Sequence, residues 1–286
     1  HQQICKRFDV PLFVDEAHGC LWNFNEKFPM PALKLGADAV VHSMHKTGGS
    51  FAQSSILHIA HNSILDVEQV ENNLKLLHTT SPSIILLSSI DAARAHLTSS
   101  RGKKLINNAI NNSLYLRSEL SNYPHVKILS NVDNILIDTT KIYIMIEGLS
   151  GKRLESLLEI EYNIEVESAA DNGVLILSNI GNTRKEMEYF VECVKSIVKR
   201  NYSDISYLEK TKYMPFLNPT IKMTPREAFY KQKEKLSPAM AVGRISADLI
   251  AECPPGIFVL VPGELITNEH LPYLTNYESL NVIVEE

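Results

Sequence analysis

The segment Val10-Pro11-Leu12-Phe13-Val14-Asp15 constrains the fold more than any other stretch, because an apolar run ends directly in an acid. A short, uninterrupted apolar run reads as a strand buried on both faces, the mark of a parallel sheet covered by helices. A second run, Asp38-Ala39-Val40-Val41-His42-Ser43, leads into His45-Lys46-Thr47. In open α/β sheets, ligands gather beyond the carboxyl ends of the strands, which is where Asp15 falls.

An acid at one strand end and a lysine just past the next strand suit a pyridoxal 5'-phosphate (PLP) site. The lysine forms a Schiff base with the cofactor aldehyde, and the acid keeps the pyridine nitrogen protonated. Each pKa unit gained by that nitrogen is worth roughly 1.4 kcal/mol. A Schiff-base lysine works best with its pKa lowered by burial and neighbouring positive charge. Ser43 and His45 flank Lys46 and offer hydrogen bonds to the cofactor phosphate.

Asp15-Glu16-Ala17-His18 also matches the metal-binding box of helicase-type ATPases. That chemistry needs an upstream glycine-rich loop ending in Gly-Lys-Ser/Thr. Only fourteen residues precede Asp15, and Gly148-Leu149-Ser150-Gly151-Lys152-Arg153 lacks both the spacing and the hydroxyl. A net charge of -5 leaves no footprint for a nucleic acid. Taken singly, Asp15 reads as a strand-end acid beside a structural cation, and Lys46 as a surface lysine. The two in order, each after its strand, favour the cofactor site.

Four motifs then occur in order: Val14-Asp15-Glu16-Ala17-His18-Gly19, Gly36-Ala37-Asp38, Ser43-x-His45-Lys46-Thr47 and Gln53-Ser54-Ser55-Ile56-Leu57-His58. With Thr79-Thr80-Ser81-Pro82-Ser83, Met223-Thr224-Pro225-Arg226-Glu227-Ala228-Phe229, Ala241-Val242-Gly243-Arg244-Ile245-Ser246-Ala247, Pro254-Pro255-Gly256 and Val261-Pro262-Gly263-Glu264, the set resembles the Orn/Lys/Arg decarboxylases. These are fold-type-I (aspartate aminotransferase-like) α/β enzymes that use PLP. The resemblance runs from the first residues to about residue 266 and is poor between about 100 and 210.

The resemblance implies roles. Lys46 would carry the Schiff base, with His18 beside it as a second catalytic residue. Asp15 would pair with the pyridine nitrogen, and Ala17 would pack on the ring. Ser43 and His45 would contact the phosphate, and so would Thr79 and Ser81, the latter two on a neighbouring subunit's cofactor. The implied reaction is decarboxylation of arginine, lysine or ornithine, in polyamine-related metabolism. Arginine leads, because the C-terminal region is short and simple. The implied organisation is the second half of a PLP-binding large domain with a parallel-rich sheet (1–120), a small α+β domain (121–205) and a decarboxylase C-terminal domain (206–286), in a homodimer or higher oligomer. The family's large domain starts upstream of His1, so the chain reads as a C-terminal portion with a complementing N-terminal segment as partner. A non-catalytic partner of a full-length subunit is the second reading. Another fold-type-I reaction, such as transamination, is the third, and the Pro-Pro-Gly and Pro-Gly-Glu turns argue against it. The chain departs from the family at Gly48-Gly49, where an extra glycine is expected to loosen the backbone near Lys46.

Composition limits the class. The 286 residues are 44% hydrophobic and 21% charged, as in soluble globular proteins. The four cysteines show no C-x-x-C spacing, so neither a disulfide framework nor a zinc site is expected, and a reducing cytoplasm is the default. No apolar run is long enough to span a membrane. The acids Glu147, Glu155, Glu159, Glu161, Glu165 and Glu167 read as solvated faces rather than a metal cluster.

Periodicity and punctuation predict helices over 1–8, 31–35 (closed by Gly36), 63–77 (capped by Ser63 or Asp66), 84–97, 105–120, 151–161 and 183–200. Ser81-Pro82 reads as a helix start with proline in the first turn. Strands are expected over 10–14, 39–42, 53–59 (returning antiparallel), 126–129, 135–138, 142–146, 164–168 and 174–177. A linker covers 201–220. Thr224, Pro225 and Glu227 form a capping box opening a helical segment within 222–234, and Arg244 lies in a helical stretch with a salt-bridge partner. Two rigid turns, 253–256 and 262–264, bracket a strand at 257–261. Glu252 or Glu264 would face the cationic end of a basic substrate, or else cap the following turn.

Overall fold

The computed structural model describes residues 1–130, 136–201, 218–252 and 257–284. The chain divides into two compact units, His1–Lys210 and Thr211–Glu286.

The first unit opens with α1 (Gln2–Arg7), β1 (Phe13–Asp15), β2 (Ala39–His42), α2 (Met44–Thr47) and β3 (Ile56–Ile59). The three strands form one sheet in the order β1-β2-β3. β1 runs parallel to β2, with Phe13 opposite Ala39 and Asp15 opposite Val41. β3 returns antiparallel on the other side of β2, as expected for 53–59. Full burial of the 10–14 run does not hold. Among the described residues β1 is paired on one side only, and Val10 and Phe13 are 52% and 56% exposed. The strand also starts late, because Pro11 has no N–H to give and Leu12 N donates to the Asp38 carboxylate at 2.8 Å. Residues 31–36 make a single turn rather than a helix. Gly36 nonetheless takes the left-handed φ of +91° that a closing glycine supplies.

Three helices follow: α3 (Val67–Leu77), α4 (Ile84–Thr98) and α5 (Ser100–Leu120). Asp66 caps α3 by accepting from Glu68 N and Gln69 N. No residue of α3 is buried in this chain. Ser83, not Ser81, caps α4 by accepting from Leu86 N, so Pro82 stands before the cap instead of in the first turn. Ser99 ends α4 and caps α5 by accepting from Gly102 N at 3.1 Å. The chain turns there on Gly102, where a Cβ would lie 2.1 Å from His96 O.

α5 serves two cores. Ile106 and Ile110 pack with Cys20, Leu21, Phe28 and Met44. Leu116 and Leu120 pack with a second layer built from β4 (Val126–Ile128), β5 (Lys141–Ile146), α6 (Gly151–Tyr162), β6 (Ser168–Ala170), β7 (Gly173–Leu177) and α7 (Arg184–Asn201). Its strands are antiparallel in the order β4-β5-β7-β6. The inward residues Ile142, Ile144 and Ile146 alternate along β5, as a half-buried strand requires. Two strand expectations shift. Residues 136–138 form no strand, because Asp138 is drawn into a turn with Thr140; residue 135 lies outside the described part. The strand expected over 164–168 begins at Ser168. The preceding residues complete the cap of α6, where Asn163 takes a φ of +53° and Ile164 N bonds Leu158 O. Among the described residues no helix is long and apolar enough to cross a membrane.

The second unit contains α8 (Pro225–Tyr230), β8 (Lys233–Leu236), α9 (Pro238–Ala241), β9 (Ile250–Glu252), β10 (Ile257–Leu260) and β11 (Leu280–Ile283). β8 pairs antiparallel with β11 and β9 with β10, over a core of Ile250, Val259, Leu260, Ile266, Leu274, Leu280 and Val282. The expected helix therefore stops at Tyr230, and 233–236 become a strand. Arg244 lies outside a helix, just past α9, and bonds Glu234 at 2.6 Å and Ile283 O at 2.8 Å. The linker residues 202–217 and the Cys253–Gly256 turn lie outside the described residues.

The capping box at α8 is complete: Thr224 accepts from Glu227 N, and Glu227 accepts from Thr224 N at 2.7 Å. Thr224→Ala is expected to cost the second unit about 1 kcal/mol. A urea titration of both proteins checks this, and a midpoint that does not move would show that the cap is redundant.

Candidate active site

The turn after β1 carries the first half of the site. Asp15 is exposed at the strand end, and its Oδ1 accepts from Ala17 N at 3.0 Å. Glu16 is buried and pinned on four sides. Its N donates to Val41 O, its carbonyl accepts from Gly19 N, and its carboxylate takes Ala32 N and His42 Nε2, each at 2.8 Å. Only glycine fits at position 19, where a Cβ would stand 2.4 Å from Glu16 Cγ. Trp22 N bonds Gly19 O and starts a 3-10 turn, Trp22–Phe24.

The second half follows β2. Ser43 N donates to Ala17 O at 3.2 Å, so the lysine-bearing turn is tied to the acid-bearing one. Lys46 N bonds Ser43 O, and the Lys46 side chain is exposed. The expected burial of this lysine is thus corrected: Lys46 sits in the last turn of the short helix α2 and is exposed. The His45 ring is fixed by Nδ1 donating to Ser54 O at 2.8 Å, and Thr47 Oγ1 meets Cys20 Sγ at 2.9 Å. Gly48 is a packing requirement and not a looseness. A Cβ there would lie 2.8 Å from Met44 O, while Gly49 holds a φ of +88° that favours glycine.

A cavity of about 650 Å³ opens on this turn, lined in part by Asp15, Ala17, His18, Trp22, Asp138 and Lys141. His18 Nδ1 is buried without a hydrogen-bond partner. Burial lowers the His18 pKa, and the ammonium groups of Lys141 and Lys46 lower it further, against Glu167 and Asp138. The ring is therefore neutral near pH 7 and lies within the field of both lysines.

Asp138 and Lys141 were not legible as site residues. Asp138 is buried, and its carboxylate accepts from Trp22 Nε1 at 2.9 Å, Thr140 N at 3.0 Å, Thr140 Oγ1 at 2.6 Å and Lys141 Nζ at 2.7 Å. The available signal is local: Asp-Thr-Thr is the pattern of an acid bonding the backbone two residues on. Its partner Trp22, 116 residues away, carries no such signal.

Within the first unit, Ser43, His45, Lys46, Thr79 and Ser81 are not among the residues that line this cavity. Thr79 and Ser81 are exposed in the turn before α4, where Thr79 Oγ1 accepts from Ser81 N. In the second unit, Glu264 is buried, with Oε2 accepting from Val261 N and Oε1 at 3.3 Å from His270 Nε2, the arrangement of a turn-capping acid. Glu252 ends β9, and its side chain lies outside the described part.

The residues fit PLP. The turn after the strand-end acid Asp15 and the turn that carries Lys46 are joined by the Ser43 N to Ala17 O bond, and Asp15, Ala17 and His18 line a cavity beside them. With the mixed sheet, the long α5 and the antiparallel layer, they define an α/β protein of the aspartate aminotransferase-like, fold-type-I class. Comparison with known proteins makes this specific: residues 2–148 match the Orn/Lys/Arg decarboxylase major domain, and residues 207–283 match the C-terminal domain of the same family. The chain belongs to the Orn/Lys/Arg decarboxylase family.

An arginine decarboxylase of Bacillus anthracis is 34% identical over 281 residues, covering 95% of this chain and 56% of the relative. One from Halalkalibacterium halodurans is 35% identical over 280 residues, with the same shares covered. The chain thus spans little more than half the length of these relatives. Among solved structures, the constitutive lysine decarboxylase of E. coli superposes with a TM-score of 0.77 at 20% identity, over 98% of this chain and 55% of that one.

Proposed function

We propose that this chain is the PLP-binding and C-terminal part of a decarboxylase acting on a basic amino acid, with arginine as the leading substrate. The observation that carries the proposal is the Ser43 N to Ala17 O bond, which holds the Lys46 turn against the Asp15 turn. Two arginine decarboxylase relatives, each aligned over 95% of the chain, support the substrate class.

In this reading, Lys46 is the attachment point for PLP, Asp15 holds the proton on its ring nitrogen, and Ala17 packs on its face. Ser43 and His45 take the phosphate. The cofactor, when bound, receives the electron pair released as the Cα–carboxylate bond breaks. The protein's own part is placement and proton handling. A carboxylate at Asp15 favours the protonated ring nitrogen by its charge. The neutral His18 ring can accept a proton without first losing one to solvent, and can then return it. Thr79 and Ser81, exposed and off the cavity, reach a second copy's phosphate in a homodimer or higher oligomer. A polyamine-related role in the cytoplasm follows from the same reading.

The test is trapping. The chain is incubated with PLP, reduced with borohydride and digested, and the adduct is located by mass spectrometry, with Lys46→Ala as control. A stoichiometric adduct on Lys46, absent from the variant, is expected. Folded protein without that adduct would overturn the reading of a self-sufficient site. It would favour the second one, a non-catalytic partner.

A further inference from the structure

We propose that Lys141 is the carboxylate-recognition residue of this cavity: its ammonium, held from behind by Asp138, takes the α-carboxylate of the basic amino acid. This rests on the decarboxylase reading above and assigns a residue that the family motifs quoted earlier leave out.

An amino acid substrate brings a carboxylate that must be oriented, and a cation is the natural partner. Among the described lining residues, Lys141 is the one lysine or arginine; Asp15, Glu16 and Asp138 are acids. His18, with its lowered pKa, carries no charge near neutrality. Lys141 is also held in place. It opens β5 opposite Leu177, its N donates to Asp138 O at 3.0 Å, and its carbonyl accepts from Arg117 Nη2 at 2.8 Å. The side chain is then anchored at its far end by Asp138 Oδ2, 2.7 Å from Nζ.

The pair is asymmetric in the way a binding residue needs. The Asp138 side chain is 5% exposed and the Lys141 side chain 26%. Asp138 is saturated by its own donors, whereas an ammonium has three and one goes to Asp138, leaving donors for a ligand. The counter-charge has a chemical use. Decarboxylation moves negative charge off the carboxylate, so a bare cation there would hold the ground state more tightly than the transition state. Asp138 tempers that cation and acts as a positioning residue.

Arginine and agmatine, which is arginine without its carboxylate, separate this role from packing. Binding of each is measured by calorimetry and Trp22 fluorescence on protein loaded with PLP and reduced with borohydride, which blocks turnover. Lys141→Met is expected to weaken arginine by about 10- to 100-fold, as for a lost bond to a charged group. Agmatine affinity should stay unchanged, and Lys141→Arg should restore most of the arginine affinity. Equal loss for both ligands, or no loss for arginine, would overturn the assignment. Wild-type protein that carries the Lys46 adduct yet binds neither ligand would sink the decarboxylase reading itself, and Lys141's role with it.

Discussion

Asp138→Ala is expected to cost the first unit about 3–5 kcal/mol, more than any surface substitution. The carboxylate serves four donors, and its removal leaves Trp22 Nε1, the Thr140 amide and hydroxyl, and the Lys141 ammonium without their acceptor. Burial pushes the Asp138 carboxyl up, but the Lys141 charge and the hydrogen bonds from Lys141, Thr140 and Trp22 outweigh it, so its pKa is lowered overall. A lowered folded pKa means the contribution is present above the carboxyl's ordinary range and is lost as the pH falls through the folded value. Thermal and denaturant unfolding of both proteins should therefore show a constant gap near neutrality that closes only in acid, below about pH 4. Trp22, the chain's one tryptophan, reports the same event by fluorescence. A gap absent at pH 7 would show that the network does not stabilise the unit, and one that persists unchanged into acid would show that its contribution does not depend on the carboxylate charge.

That network also marks the limit of what local sequence carries. The acid-ended run, the second run with its lysine, the antiparallel return at β3 and the capping box of α8 are all short-range patterns, and each stands in the structure near its expected place. What local pattern does not carry is which side of a strand receives a neighbour. The 10–14 run is apolar enough for burial on both faces, yet among the described residues β1 has a partner on one side only, and Phe13 is exposed. The same holds for α3, whose apolar positions Val70 and Leu74 are half-buried and none of whose residues is fully buried. The Lys233–Leu236 segment shows the opposite case. Its alternating residues suit a strand, and pairing with β11, more than forty residues on, decides it. Asp138 joins Trp22 across a still longer separation, so the strands leading to Asp15 and Lys46 were readable while the contact between Trp22 and Asp138 was not.

Glu16→Ala is expected to match the Asp138 effect in size, about 3–5 kcal/mol, by a different route. Glu16 directly follows the end of β1 and is buried, whereas its neighbour Asp15 is exposed. There it accepts from Ala32 N and meets His42 Nε2, with both side chains of the pair 5% exposed. Behind them the His58 ring packs edge-on to His42 at 4.8 Å. Burial, then His42, lowers the His58 pKa against Glu16, and His58 Nε2 has no hydrogen-bond partner. Removing the carboxylate strands two buried donors in a region that already holds one unpartnered nitrogen, at about 1–3 kcal/mol each. Glu16→Gln keeps the shape and one acceptor, so it should lose roughly half as much. The functional consequence is graded in the same order. Asp15 and Ala17 flank Glu16, and a slackened turn presents the acid less well, so the yield of borohydride-trapped Lys46 should fall in the alanine variant and recover in the glutamine one. Equal trapping in all three proteins, despite the loss of stability, would confine Glu16 to the fold and leave the placement of Asp15 to the β1–β2 ladder alone.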